Sequence, residues 1–560
     1  MALLFLTWIL VLFFSVTTGT AISTMLRLKP EISLVTIFIG LFGQCFALTC
    51  CSFFWKLGLE LFLVNFSIQI AIFIWQRKEI IYQYKATITE VKHLAKLSKF
   101  VLILILAFSL AKCAQLPFII DNESYYIQTI KWLNEYGFVK GLANLHIFLG
   151  QNSPFHVLQA GFNFSFISDQ FNDLNGFVLV VCSLYFIIEF EKQFKQNNKT
   201  HWIGLVLIFN ILFFQFVNTP SPDLISILVS QIILYIYIEK ENNSSNFKVI
   251  CLLFLFLFFI KITIAPIGLL VLFISWKEKK RLLFLMLVSV VLVSVLIAKN
   301  TVISGYPFYP ASVSKAKVDW IVPEKMMHFI SSATINYGYF KENVSNNVSL
   351  LSKLKSWVNM GGINRIFNLG CLMLFVITPF TFAFKSNRKI KIAYLVLLFH
   401  FVMLLFISPQ FRFFLPEFIF LFVLVLDSFF QRVKIQINII RLALLLFLVL
   451  PLFLIEFIDF KRFTKNKLHQ TKSKFSWVQI VIPENNSKYP HLRFEKITEG
   501  NLEFYSPKEN FFFYGTANGD LPCVNKVQIN HFKNKINFVP QLRTTNIKDG
   551  FYSKKVSVNE

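Results

Sequence analysis

Long apolar runs separated by short polar breaks fill most of this sequence, from the first residue to about residue 459. Many of the runs approach the ~20 residues that an α-helix needs to cross a bilayer. The first run has no basic leader and is followed by further spans, so we expect it to be a retained helix. The pattern predicts about fourteen membrane-spanning helices, near residues 2–19, 32–51, 57–75, 100–119, 175–190, 202–218, 222–238, 248–260, 263–275, 282–298, 367–384, 392–408, 414–430 and 438–458.

The composition favours the same class of protein and excludes others. Hydrophobic residues make up 55% of the 560 residues, charged residues make up 15%, and the mean hydropathy is +0.60. Soluble, fibrous and disordered chains all have a larger polar share. We therefore expect an all-α polytopic membrane protein.

The net charge of +25 is explained by topology rather than by a nucleic-acid partner. Basic breaks recur at alternate turns, as the positive-inside rule expects of cytoplasmic loops. These breaks are residues 76–99, 191–201, 277–281, 385–391 and 431–434. This arrangement predicts a multi-pass protein of the cytoplasmic (inner) membrane, with both termini outside and no nucleic acid as partner.

Three parts follow from this topology. Residues 1–99 hold N-terminal helices and a basic cytoplasmic loop, and residues 100–459 form a transmembrane core with two long external loops, 120–174 and 299–366. Residues 460–560 have the mixed composition of a small extracytoplasmic α+β or β domain. Its apolar segments bounded by Pro, Gly and Asn predict strands at 475–483, 510–520 and 526–532.

One pair of apolar runs predicts a turn inside the membrane. Runs 248–260 and 263–275 are too short for two full crossings, so we expect the chain to reverse at Lys261 within the outer half of the bilayer. The alternative is one long tilted helix through 248–275. That helix would leave Lys261 in the apolar middle and reverse the sidedness of every later loop, so it is disfavoured.

The first external loop opens with two carboxylates, Asp121 and Glu123, followed by an irregular apolar stripe through residues 125–136 suited to a helix on the membrane interface. A carboxylate at this depth can accept a proton from a hydroxyl or hold a divalent metal against a phosphate. The structural alternative for Asp121 is an N-cap, in which its side chain bonds the backbone of the helix that it begins.

Two cations are predicted at the same membrane depth, Lys261 in FIKITIAP and Arg412 in SPQFRFFLPEF. An unpaired charge there is costly and often marks a binding site or a partner, and both cations suit a phosphate. The alternative for each is snorkelling to the surface. Asp223 in NTPSPDL lies on the same predicted side.

Other common sites find little support. His146 and His156 are ten residues apart, which fits no compact zinc spacing. No Walker A sequence appears, and GxGxxG does not follow a strand. Most of the eight cysteines lie in apolar runs, so no disulfide framework is expected.

Together these residues resemble the GT-C superfamily of membrane glycosyltransferases. In that superfamily an acidic motif opens the first large external loop, a short mid-chain hairpin carries a Lys, and a late external turn reads Arg-aromatic followed by Pro. The motifs here are DNE (121–123), FIKITIAP (259–266) and RFFLPEF (412–418). Residues 100–430 also resemble a largely uncharacterised family of GT-C-like bacterial membrane proteins through NLH (144–146), TPSPD (219–223), SGYPFYP (304–310), DW (319–320) and SPQFRF (408–413).

The resemblance implies an active site on the outer face, with Asp121 as candidate base and Glu123 as a second catalytic residue. It implies that substrate is bound by Arg412, Lys261, Asp223, His146, Tyr306, Tyr309 and Asp319. The acidic pair is Asp-x-Glu rather than two adjacent acids, which leaves open whether Asp121 and Glu123 hold Mg²⁺ or Mn²⁺.

The expected function is transfer of a sugar from a polyprenyl-phosphate donor to a glycan or lipid acceptor of the cell envelope, with membrane lipids as further partners. The alternative from a different class is a transporter or flippase for lipid-linked saccharides. A transporter would carry ionisable residues in mid-span, whereas the polar residues here gather at external helix ends.

Overall fold

A computed structural model describes residues 1–29, 33–168, 170–197, 201–340, 348–433, 436–456, 474–508 and 511–556 of the chain. Helices dominate this part of the chain up to residue 456, and strands occur only after it. The predicted boundary between core and tail at residue 460 lies outside the described residues.

The described N-terminal residues fold as a helical hairpin with three further helices beside it. Its helices are α1 (Ala2–Met25), α2 (Leu34–Cys51), α3 (Leu59–Trp75), α4 (Arg77–Lys92) and α5 (Lys96–Cys113). Helices α1 and α2 cross with their backbones in contact at Gly19 and Gly40. A β-carbon on Gly40 would lie 1.7 Å from the carbonyl oxygen of Ser15. Small residues at the crossing are therefore what permits this approach.

The predicted first external loop is largely helical. A π-helical turn (Asn122–Tyr126) runs into α6 (Ile127–Glu135), and α7 (Leu142–Leu145) and α8 (Pro154–Phe162) follow. The apolar stripe predicted for residues 125–136 does lie on a helix. Its expected position on the membrane interface was wrong. Ile130 and Leu133 are buried inside the protein, because α6 packs against α8 and the C-terminal segment closes over it.

The helices in the middle of the chain include the most buried ones of the bundle. They are α9 (Leu174–Asn197), α10 (Trp202–Leu205), α11 (Asn210–Phe213), α12 (Pro222–Glu239), α13 (Ser244–Ile260), α14 (Gly268–Ser275) and α15 (Lys279–Ser304). In the apolar stretches of α9 and α12, 89% of the residues are buried, whereas in that of α15 only 17% are buried. Helices α9 and α12 are therefore central, and α15 is peripheral.

The chain reverses at Lys261, as predicted. A β-carbon built on Gly268 would lie 2.5 Å from the ring of Phe254, whereas one straight helix would hold these residues about 21 Å apart. The predicted span 202–218 is not one continuous helix. It is broken into α10, a 3₁₀ turn (Val206–Phe209) and α11, followed by turns up to residue 220.

The late helices complete the bundle. They are α16 (Glu324–Phe340), α17 (Leu350–Val358), α18 (Ile363–Ile377), α19 (Phe382–Ser386), α20 (Arg388–Ile407), α21 (Leu415–Val433) and α22 (Ile437–Glu456). Within the described residues, seven helices are long and apolar enough to cross a membrane, or eight if the bent pair α3 and α4 is one span. The helical membrane-compatible class agrees with the prediction, and the count of about fourteen spans is not confirmed.

The C-terminal segment carries two antiparallel hairpins and one helix. The strands are β1 (Phe494–Glu499), β2 (Leu502–Pro507), β3 (Phe538–Leu542) and β4 (Phe551–Lys555), and helix α23 is Lys526–Ile536. The small β region was predicted, but the three strand positions were wrong. Residues 477–480 form a 3₁₀ turn, residues 511–520 form turns, and residues 526–532 lie in α23.

The contacts of the C-terminal segment place it over one end of the bundle. The Glu484 N–H donates to the carbonyl of Ala114, just after α5, and the Phe551 N–H donates to the carbonyl of Lys140. The Met1 amino group donates to the carbonyl of Gln479. The start of α1, the end of α5 and the loop after α6 therefore share this end of the molecule.

Candidate functional site

Asp121 lies in the helical segment that follows α5, and its side chain turns toward another part of the chain. It makes no capping hydrogen bond, so the N-cap alternative is wrong. Its carboxylate Oδ2 instead lies 2.5 Å from Nη1 of Arg412. The contact joins the first predicted external loop to the turn before α21.

Asp223 occupies the first turn of α12. Ser221 caps this helix by accepting the Asp223 N–H, and Pro222 takes the first helical position, where its missing N–H costs nothing. A carboxylate at a helix N-terminus interacts favourably with the helix dipole. Its two oxygens face two cations, Lys261 at 2.5 Å and Arg412 at 3.7 Å.

Lys261 and Arg412 both lie where a helix is interrupted. Lys261 follows the last residue of α13, and Arg412 sits in a 3₁₀ turn (Phe411–Phe413) between α20 and α21. Phe413 contacts both, with Nζ of Lys261 at 3.9 Å from its ring centre and the guanidinium at 5.2 Å. Gln410 accepts a hydrogen bond from Nε of Arg412 at 3.1 Å.

These four side chains, Asp121, Asp223, Lys261 and Arg412, are called the tetrad below. Burial alone would lower the pKa of Arg412, but the carboxylates of Asp121 and Asp223 outweigh it and raise that pKa, so the guanidinium stays charged. The side chains of Arg412 and Asp121 are 26% and 21% exposed, against 5% for Asp223. Arg412 and Asp121 therefore form the open side of the tetrad.

Three tyrosine hydroxyls lie within electrostatic reach of this open side. The charges of both Asp121 and Arg412 act on the hydroxyls of Tyr125, Tyr126 and Tyr337. Tyr337, on α16, is 55% exposed. Tyr126 is only 2% exposed, so of these two rings Tyr337 is the one that presents an amphipathic surface to a ligand.

Glu123 faces the C-terminal segment. It is fully buried, and its two oxygens accept hydrogen bonds from the Ser487 hydroxyl at 2.6 Å and the Lys488 N–H at 3.1 Å. Burial raises the pKa of Glu123, and these donors oppose the rise. The backbone carbonyl of Glu123 also accepts the N–H groups of Thr516 and Ala517. Its contacts are those of a docking residue.

His146 and Tyr309 hold the backbone of neighbouring loops. Nδ1 of His146 accepts the Phe148 N–H, and Nε2 lies 3.2 Å from the carbonyl oxygen of Tyr514. Burial lowers the pKa of His146 to about 4, so the ring is neutral and donates through Nε2. The Tyr309 hydroxyl donates to the carbonyl of Ile147 at 2.5 Å.

The remaining predicted binding residues lie in the loop after α15. Tyr306 is buried, at 1% exposure. Asp319 is 62% exposed and pairs with Arg543, which is also stacked on Trp320 at 4.9 Å. The Arg543 guanidinium lowers the pKa of Asp319. Of the nine predicted site residues, the structure thus joins four in the tetrad. It gives Glu123, His146, Tyr309 and Asp319 other partners, and it buries Tyr306.

A buried contact between a histidine and a glutamate was missed by sequence reasoning. Glu417, in the first turn of α21, contacts His400 on α20, and both side chains are fully buried. The charge of Glu417 also acts on Lys261. The sequence contained an indication of each residue. Glu417 is part of RFFLPEF, and His400 interrupts an apolar run.

The described residues contain no group of three His, Cys, Asp or Glu side chains that could hold a metal ion. Because both oxygens of Glu123 accept hydrogen bonds from Ser487, Asn122 and Lys488, a cation at Asp121 would need other ligands.

Comparison with known proteins gives one result. A model described as "Domain of unknown function (DUF8201)" matches residues 1–419, a range that includes all four residues of the tetrad. No curated protein and no solved structure matches the chain. The match covers most of the sequence, and the chain therefore belongs to the DUF8201 family.

Proposed function

We propose that this protein is a membrane glycosyltransferase of the GT-C type, acting at the outer face of the cytoplasmic membrane. It would transfer a sugar from a polyprenyl-phosphate donor to a glycan or lipid acceptor of the cell envelope. The observation that carries the proposal is the tetrad. It combines two cations suited to a phosphate with two carboxylates, at the ends of apolar helices.

In this proposal, the donor phosphate binds between the two cations. The guanidinium of Arg412 grips two phosphate oxygens, and the ammonium of Lys261 adds a point charge. Both cations are neutralised by Asp121 and Asp223 in the structure. A phosphate must therefore take Arg412 away from Asp121, while the more buried Asp223 continues to hold Lys261.

This exchange frees Asp121 for chemistry. Once Arg412 turns to the phosphate, Asp121 accepts the proton of an acceptor hydroxyl as its oxygen attacks the anomeric carbon of the sugar. The bond from that carbon to the phosphate oxygen breaks, and the bonding pair leaves with the polyprenyl phosphate. Asp121 then returns its proton to water. Donor binding and activation of the base are thereby linked through one ion pair.

Predicted roles for the other residues stay predictions. The contacts of Glu123, His146, Tyr309 and Asp319 favour support of the outer segments over direct contact with substrate. If Mg²⁺ or Mn²⁺ takes part, we propose that Asp121 and the donor's phosphate oxygens would supply its ligands.

One observation favours the alternative function of a transporter or flippase. His400 on α20 and Glu417 on α21 are in contact and fully buried, and ionisable residues inside apolar helices often belong to transport pathways. A transporter would move a lipid-linked saccharide between leaflets without breaking the sugar–phosphate bond.

The test is a transfer assay with the purified full chain. Polyprenyl-phosphate donors carrying a radiolabelled sugar are incubated with cell-envelope acceptors, and free polyprenyl phosphate is measured as the second product. Release of polyprenyl phosphate by the wild type and its loss in Asp121→Asn support transfer. Movement of intact donor across proteoliposomes, with no polyprenyl phosphate released, would support the transporter and contradict the transferase.

A further inference from the structure

A cavity lies at the end of α1 that is remote from the tetrad. Its volume is about 600 Å³, and its lining comes from the last turns of α1, the residues that follow it and the first turns of α4. Helix α1 has 24 residues, so this end lies about 36 Å from Met1 and the C-terminal segment. A volume of this size is typical of small-molecule binding sites.

The lining is positively charged. It includes Arg27, Lys29 and Lys78 with a single carboxylate, that of Glu79. Among the residues that the structure describes, none of the three cations forms an ion pair. The hydroxyl of Ser23, which also lines the cavity and is 6% exposed, has no hydrogen-bond partner there either. Among the described residues, the lining therefore carries three cations against one carboxylate, together with a buried hydroxyl that has no partner.

The position of α4 places the cavity at headgroup level. Helix α4 leaves α3 at an angle of 90°, and its sequence, RKEIIYQYKATITEVK, is too polar for the hydrocarbon core. Ile74 and Trp75, at the end of α3, are each 70% exposed, as expected of side chains that contact lipid. A polar helix that crosses the end of an apolar one is typical of the membrane surface.

We propose that this cavity binds a phosphate-bearing anion, either the headgroup of an anionic phospholipid or a soluble phosphate ester. Arg27 would bond two phosphate oxygens, Lys29 and Lys78 would add charge, and the Ser23 hydroxyl would donate a hydrogen bond. The proposal does not depend on the transferase function, since the lining contains no residue of the tetrad.

The experiment measures binding to the purified full chain in detergent. Fluorescent phosphatidylglycerol is titrated against the wild type, against Arg27→Gln/Lys78→Gln, and against Lys85→Gln, which removes an exposed charge from α4 outside the cavity. Phosphatidylcholine and glycerol 3-phosphate are tested in parallel. One basic contact with an anionic headgroup contributes roughly fivefold in affinity, so the double variant should bind roughly twenty-five-fold more weakly. Lys85→Gln should bind as the wild type does.

The comparison ligands identify the source of the phosphate. Preference for phosphatidylglycerol over glycerol 3-phosphate assigns the cavity to a lipid, and equal binding that the double variant weakens assigns it to a soluble ester. Equal binding of phosphatidylcholine, or unchanged binding in the double variant, would overturn the proposal. Should the double variant fail to fold, Glu79→Gln decides instead. Removing this carboxylate should raise the affinity, and an unchanged affinity would overturn the proposal.

Discussion

The guanidinium of Arg412 lies 2.5 Å from the carboxylate of Asp121, although 291 residues separate them in the sequence. Each residue on its own had a structural explanation, an N-cap for Asp121 and snorkelling for Arg412. The contact contradicts the first explanation and makes the second unnecessary, because each charge has a partner of opposite sign. Since Arg412 is also 3.7 Å from Asp223, a ligand that moves it will change the surroundings of both carboxylates.

Asp121→Asn should abolish transfer while the protein keeps its fold. The amide is isosteric with the carboxylate and can still accept a hydrogen bond from Arg412, but it cannot take a proton from an acceptor hydroxyl. The measurements are transfer rate and thermal stability of the purified variant. A variant that is unstable but normally active per folded molecule would contradict the role of Asp121 as a base.

Glu123→Gln should loosen the C-terminal segment. A Gln offers one acceptor oxygen where the carboxylate has two, so the Ser487 hydroxyl or the Lys488 N–H loses a buried partner, which costs about 1–3 kcal/mol. Hydrogen exchange at residues 486–488 and 516–517 should become faster. Glu503→Gln, an exposed carboxylate in β2, is the matched control. Unchanged exchange together with lost transfer would instead make Glu123 a catalytic residue.

His146 should make the protein less stable at acidic pH. Its pKa is lowered to about 4, against 6.5 in the unfolded chain, so between these values the unfolded state binds a proton that the folded state does not. Stability therefore falls as the pH falls from 6.5 to 4, by up to about 3 kcal/mol. The unfolding temperature of His146→Gln should depend less steeply on pH than that of the wild type. His93→Gln, at an exposed site, should keep the wild-type slope, and equal slopes in all three proteins would refute the assignment.

Gly40→Ala should destabilise the crossing of α1 and α2. The new β-carbon would lie 1.7 Å from the Ser15 carbonyl oxygen, so the backbones must separate. Overpacking of this kind costs about 1–3 kcal/mol or more. Gly361→Ala is the control, because a β-carbon there meets nothing within 4 Å. A comparable loss of unfolding temperature in both variants would show that the α1–α2 contact is not the cause.

The tetrad was accessible to sequence reasoning because its residues interrupt apolar runs. A charge such as Lys261 stands out in such a run, and sidedness then groups the charges that share one membrane face. The partners of Glu123 were not accessible in this way. Its partners Ser487 and Lys488 lie more than 360 residues away, and no local pattern indicates that a distant segment will cover a carboxylate.

The errors in secondary structure also have physical causes. The composition of residues 526–532 predicted a strand, but these residues lie in a helix. Its buried face is formed by Gln528, Ile529, Phe532 and Ile536. Asn525 caps this helix by accepting the Val527 N–H. Residues 475–483 have strand-like composition, yet they form no ladder, and Trp477 remains 84% exposed. Strand formation depends on an available partner strand, which composition does not reveal.

Binding of polyprenyl phosphate to the wild type and to Arg412→Lys tests the central claim most directly. Lys keeps the charge but loses the two-oxygen grip, and a charge-assisted hydrogen bond contributes about 1.5–3 kcal/mol. The variant should therefore bind polyprenyl phosphate about tenfold to a hundredfold more weakly, and neither protein should bind the uncharged polyprenol tightly. Equal affinities of the two proteins for polyprenyl phosphate, or equal affinities of the wild type for the phosphate and the alcohol, would contradict the claim that Arg412 binds a lipid-linked phosphate.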